Sequence, residues 1–256
     1  MPASVKLSKE FEDDLVVLFV ESQNTPPAKA EWFVYDKGWM AGNAYWTHER
    51  PCSTGMGTLP GCVLLDVNGE VLMKGNPGSM KSALEDAIAD QIDIAKDLPE
   101  GAPKSAKKAW KAFGNGDFVK ALDGLAKLEA KGGEDAAGAA QLRTRVEAAI
   151  DGRLSRVDHL LDLGYPVEAQ ALAVELSEAL EDHESYGPRA AASVAMFEAD
   201  DMRAEMEAAE AFEKIHAKVR EDGVDDFRKK LEKFADKYSG SKAADRANHL
   251  LTLRRD

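Results

Sequence analysis

The chain has 256 residues, 44% of them apolar and 31% charged, a balance that excludes a disordered, collagen-like or membrane-embedded chain and suits two domains of ordinary size. With 33 basic against 46 acidic side chains the formal net charge is -13, which opposes the field of nucleic-acid phosphates and of an anionic membrane surface and excludes nucleic acid as a partner. The acidity is not a tail, because residues 1–100 carry 8 basic and 16 acidic side chains and the remainder carries 25 and 30.

Leu15-Val16-Val17-Leu18-Phe19-Val20 is a continuous apolar run of strand length and predicts a central strand covered on both faces. Pro26-Pro27 then opens a helix in which Ala28, Trp32, Tyr35 and Trp39 share one face, expected to pack on the sheet. An irregular, glycine-rich stretch follows from Gly42 to Gly57, and after Leu59-Pro60-Gly61 the segment Cys62 to Met73 folds back on itself around Asn68-Gly69, the strongest short hairpin signal. Ser79 is placed to cap a helix whose Leu84, Ala87, Ile88 and Ile92 form an apolar face. The texture then changes. Pro99 and Pro103 interrupt the chain over 99–104, and from Ser105 onward alanine, leucine, glutamate and lysine dominate in runs that suit helices, with no convincing strand. The expected division is therefore a mixed α/β domain over 1–98, a linker over 99–104 and an all-helical domain over 105–256. No apolar run approaches the ~18 residues of a membrane span, and the opening Met1-Pro2-Ala3-Ser4-Val5-Lys6 lacks the apolar segment of a signal peptide. The expectation is a chain without a membrane span, in either the cytoplasm or the periplasm.

The order strand, helix, irregular stretch, hairpin, helix over Leu7 to Ile94 resembles the thioredoxin fold. Counting from Phe19, the positions of that family's Cys-Gly-Pro-Cys motif are taken by Asn24-Thr25-Pro26-Pro27, so both cysteine positions are lost while the intervening proline survives. Leu59-Pro60 matches the family's cis-proline, and Val67-Asn68-Gly69-Glu70-Val71 looks like its hairpin turn. The resemblance implies a cis bond at Pro60 and a third strand abbreviated or replaced within Gly42 to Leu59. Dithiol exchange needs a low-pKa thiolate at the helix start and a second thiol within reach, and neither Asn24 nor Pro27 supplies one.

Gly116-Asp117-Phe118-Val119-Lys120-Ala121 recurs as Gly164-Tyr165-Pro166-Val167-Glu168-Ala169, an offset of 48 residues, which resembles tetratricopeptide-type repeats stretched beyond their usual 34. The tail from Phe227 to Ala247 looks like the repeats of bacterial envelope-assembly proteins, which implies a bacterial chain. Such repeats stack helix on helix and leave a face free for a protein or peptide partner.

Two cysteines, Cys52 and Cys62, flank Pro60. They read as a structural disulfide candidate or two inert thiols, with a relocated redox pair as the alternative. His48, Glu49, Cys52 and Cys62 match no zinc spacing, so no metal and no cofactor is expected. Tyr45 and Trp46 lie outside the helical stripe and are candidate binding aromatics. His159, His183, His216 and His249 read as solvated or packed helix residues, and Gly55-Met56-Gly57 has no phosphate-loop spacing. The resulting expectation is a non-catalytic interaction or scaffold protein. A thiol-disulfide oxidoreductase using Cys52 and Cys62 is the alternative, and a peroxidase-like or glutathione-binding enzyme using one cysteine is a third.

Overall fold

A computed structural model describes residues 2–255 except 12–13, 41–43, 52, 54, 58 and 68. It has a small strand-bearing N-terminal region followed by many helices. In order these are α1 (Pro2–Glu10), β1 (Val17–Val20), α2 (Pro27–Asp36), β2 (Ala44–Thr47), β3 (Cys62–Leu65), β4 (Val71–Gly75) and α3 (Lys81–Lys96), then α4 (Lys107–Gly114), α5 (Phe118–Lys131), α6 (Glu134–Asp162), α7 (Pro166–Leu180), α8 (Tyr186–Ala195), α9 (Asp200–Asp222), α10 (Arg228–Lys237) and α11 (Lys242–Thr252). The chain divides into two compact units, one of Met1–Ala95, Phe212–Ser239 and Ala244–Asp256 and one of Lys96–Ala211 and Gly240–Ala243.

In the first unit β1 pairs in parallel with β2, Leu18 opposite Tyr45 and Phe19 opposite Trp46. β2 occupies part of the stretch expected to be irregular, and α1, which buries Leu7, is an element the sequence patterns did not indicate. β3 and β4 pair antiparallel, Leu64 opposite Met73. Their turn is held by the Asp66 carboxylate, which accepts the Glu70 backbone N–H at 2.8 Å, and by Gly69 at φ 81; Asn68 lies outside the described residues. Among the described residues the four strands form two separate two-stranded sheets. The expected cover on both faces of the first strand is absent there. Val17 and Phe19 are half-buried while Val16, Leu18 and Val20 are exposed, so the strand alternates as a one-sided one does. The Leu59-Pro60 peptide is cis. Ser79 does not cap α3; its hydroxyl donates to the Asn76 carbonyl at 3.1 Å, and the helix begins two residues later.

The aromatic face of α2 corrects two expectations together. Ala28 is exposed, and Trp39 meets β1, its ring 5.4 Å from Phe19. Trp32 and Tyr35 are buried against residues far along the chain. The Trp32 indole donates to Asp225 at 3.2 Å, the Tyr35 hydroxyl shares a hydrogen bond of 3.3 Å with His216 Nε2, and Glu31 meets His249 Nε2 at 3.0 Å. Asp225 also accepts from Arg228, whose guanidinium donates to the Leu251 and Leu253 carbonyls at the end of α11. Backbones approach closely where α2 ends. A Cβ on Gly38 would lie 3.4 Å from the Glu221 carbonyl and one on Gly223 3.4 Å from Asp36 Cα, both at positive φ, so glycine serves for space and for conformation. The compact unit holding residues 1–95 thus includes the second half of α9, α10 and most of α11, and the expected border at 99–104 does not enclose it. Pro99 and Pro103 mark a local break in the chain; they carry no information about an apolar face that returns from residue 212.

The second unit is a layer of antiparallel helices around Leu125, Val146, Ile150, Val157, Ala173, Leu176 and Leu180, all fully buried. Its two recurring segments fold alike. Gly116 and Gly164 both sit at φ 79; each donates its N–H three residues back, to Phe113 and to Leu161, while the following residue donates five back, to Ala112 and to Leu160. That pairing is a Schellman helix end, for which glycine at positive φ is the usual residue. In both copies the next helix starts two residues after the glycine and buries its first residue and the alanine of the motif, so α4–α5 and α6–α7 are successive hairpins.

Candidate functional site

The loop between β1 and α2 carries Asn24, Thr25 and Pro26 and leads into Pro27, the four positions aligned from the sequence with a dithiol motif. The Glu21 carboxylate turns back over it and accepts the backbone N–H groups of Gln23 at 2.6 Å and Asn24 at 3.0 Å. Slight burial works against ionisation, but hydrogen bonds from the Thr25 backbone and hydroxyl, Gln23 and Asn24 together hold the Glu21 carboxyl below its ordinary range. Asn24 adopts φ 59, a left-handed conformation that asparagine tolerates, and its side-chain oxygen accepts from the Arg50 guanidinium at 2.9 Å. Pro27 follows in the first turn of α2, where its missing N–H costs nothing. Amide groups that could stabilise a thiolate or another anion are thus occupied by the chain's own carboxylate, and no sulfur stands among them. Glu21 and Arg50 were not singled out in the sequence; an acid directly after a strand and three residues before a left-handed asparagine is the signal that would have found Glu21.

Cys62 opens β3, half-buried and in register with Gly75. Burial pushes its thiol up, against a smaller lowering from the Gly75 backbone, the opposite of what a nucleophilic cysteine requires. Cys52 lies outside the described residues, and with it the disulfide candidate and the relocated pair. Tyr45 is exposed on β2, beside the exposed Leu18 and Val20 of β1, while Trp46 is half-buried with its ring 6.0 Å from that of His48. Among the described residues no three His, Cys, Asp or Glu side chains gather as a metal would require, and no helix is long and apolar enough to cross a membrane.

In the helical unit an open cleft of about 370 Å³ lies between the α4–α5 turn and the end of α7. Asn115, Asp117 and Val119 line one side, Glu178, Glu181 and Asp182 the other. Asp117 caps α5, its carboxylate accepting the Lys120 N–H at 3.3 Å and the Lys120 ammonium at 2.9 Å, and the Lys120 hydrogen bond holds its carboxyl below the ordinary range. The last turn of α7 has no basic residue, so Glu178, Glu181 and Asp182 add negative charge at a helix end that is already negative. A cationic group in the cleft would relieve that repulsion. Neither sequence segment shows the cleft alone, because its walls lie some 60 residues apart in the chain.

No protein-family model, curated protein or solved structure matches the chain.

Proposed function

We propose that the chain is a protein-interaction module without thiol catalysis, a degenerate thioredoxin-like unit carried with a tetratricopeptide-like helical layer that holds a basic or mixed-charge segment of another protein. The observation that carries this reading is the acid-lined cleft at the uncompensated end of α7, which suits lysine or arginine side chains better than the apolar, enclosed site a small molecule needs. The loop before α2 supports the absence of thiol chemistry, since Asn24 and Pro27 replace the cysteines and Glu21 fills the amide cradle. The raised thiol of Cys62 weighs against the oxidoreductase reading. β1 and β3 each keep one edge without a ladder partner among the described residues, which is compatible with their joining as neighbours in a thioredoxin-like sheet.

The test is affinity capture by the full chain from a lysate of its source, run beside the Glu178→Gln, Glu181→Gln, Asp182→Asn triple variant and repeated across salt concentrations. Partners held at the cleft are expected to be lost in the variant and weakened by salt, because exposed charges are screened beyond ~8 Å at physiological ionic strength. Capture unchanged by both the substitutions and salt would remove the cleft from the account.

A further inference from the structure

Between α7 and α8 the chain turns through Glu181 to Ser185, and the turn is closed by His183. Its backbone carbonyl accepts the Gly187 N–H at 2.8 Å, and its ring Nδ1 accepts the backbone N–H groups of Ser185 at 3.3 Å and Tyr186 at 3.2 Å. Ser185 itself makes no side-chain cap, so the imidazole does the work that serine, threonine or asparagine ordinarily does at a helix start. Packing holds the ring in place. It lies 5.1 Å from the Tyr186 ring, which is buried and is flanked by Arg189 at 5.2 Å. The turn has little slack, because a Cβ on Gly187 would fall 2.8 Å from the Glu181 carbonyl.

We propose that this turn is a proton-sensitive clasp, in which the start of α8 is held by the His183 Nδ1 lone pair and is released when the ring takes up a proton. A serine or asparagine cap is indifferent to pH near neutrality, whereas imidazole is the side chain that ordinarily changes charge between pH 5 and 8. A proton on Nδ1 converts the acceptor into a donor facing two N–H groups and places a positive charge beside the positive end of α8. The folded turn binds only the ring with an unprotonated Nδ1, so the clasp is complete at the alkaline side of that range and is lost as pH falls. The surrounding charges are Glu181, Asp182 and Glu184 in the turn, Arg189 on α8, and Asp151 and Glu147 on α6, which act on Tyr186. Glu181 and Asp182 also line the cleft, so opening withdraws part of its wall; this last consequence rests on the interaction reading, whereas the clasp does not.

The test is amide hydrogen exchange of the full chain at pH 7.5 and pH 5.5, corrected for intrinsic rates and read over residues 185–194, in the wild type, His183→Asn and His183→Ala. Asparagine keeps an acceptor at the Nδ1 position that does not titrate. The wild type is expected to lose roughly fivefold in protection on acidification, the equivalent of the ~1 kcal/mol of one N-cap. His183→Asn is expected to keep its protection at both values, and His183→Ala to be low at both. A wild type that is flat with pH, an equal loss in His183→Asn, or a His183→Ala chain as protected as the wild type at pH 7.5 would each overturn the proposal. Because the readout involves no partner, its failure is distinct from failure of the capture experiment.

Discussion

Replacing Trp32 by alanine tests whether α2 and the C-terminal helices share one core. Trp32 is 8% exposed, and its indole is hydrogen-bonded to Asp225 across 193 residues of chain. Truncating a buried tryptophan costs about 3–5 kcal/mol, of which the hydrogen bond accounts for about 1. At roughly 2–4 °C per kcal/mol for a chain approaching this size, the melting temperature of that unit should fall by roughly 10 °C. Trp32→Phe separates the two contributions. It keeps most of the ring and removes the donor, while Asp225 retains Arg228 at 2.8 Å, so the expected cost is only about 1 kcal/mol. Hydrogen exchange supplies the decisive readout, because loss of a shared core speeds opening on both sides of it. Trp32→Ala is expected to lower protection in α2 and equally over residues 212–239 and 244–252. Loss confined to residues 1–95, with the C-terminal helices as protected as before, would refute the common core and restore a border near residue 100.

Gly124→Ala and Gly152→Ala should shift thermal stability in opposite directions. A Cβ on Gly124 would lie 2.9 Å from Ala109 Cβ where α4 meets α5, whereas Gly152 on α6 has open space; the second gains up to ~1 kcal/mol of helix propensity and the first loses more than that to overpacking, as paired melts would show. Asp117→Ala should reduce the helicity of α5 seen by circular dichroism at neutral pH. Since the folded-state carboxyl is held below its ordinary value, that difference should be full above the usual aspartate range and vanish as pH falls through the lowered one. In a Cys52→Ser chain, Cys62 should react with an aromatic disulfide reagent more slowly folded than unfolded at pH 8, because burial raises its thiol; equal rates would contradict that placement.

What was legible in the sequence was what short-range chemistry determines. The Gly116 and Gly164 segments could be matched because a helix end needs a positive-φ glycine, and the Asp66–Glu70 turn because its residues hydrogen-bond one another. The run Leu15–Val20 located a strand, but apolar content alone does not distinguish a strand covered on two faces from one covered on one. Trp32 and Tyr35 were recognisable as one buried face; their partners Asp225 and His216 were not, since nothing in a helix period says which distant helix will meet it. The same holds for the cleft. Ser79 illustrates a different limit, because its hydroxyl donates to the nearby Asn76 carbonyl, whereas a cap would accept from the N–H groups of the helix it precedes.

The most direct test of the central claim is to restore the missing dithiol. In the thioredoxin-like reading the loop before α2 is silent because Asn24 and Pro27 stand where two thiols would be, at a helix start whose amides the Glu21 carboxylate occupies. The full chain and its Glu21→Ala, Asn24→Cys, Pro27→Cys triple variant, which restores both thiols and frees those amides, are compared in dithiothreitol-driven reduction of insulin. The account predicts that the wild type adds nothing to the background rate and that the triple variant accelerates it. Turnover by the wild type that disappears in Cys62→Ser, or a triple variant as silent as the wild type, would contradict it.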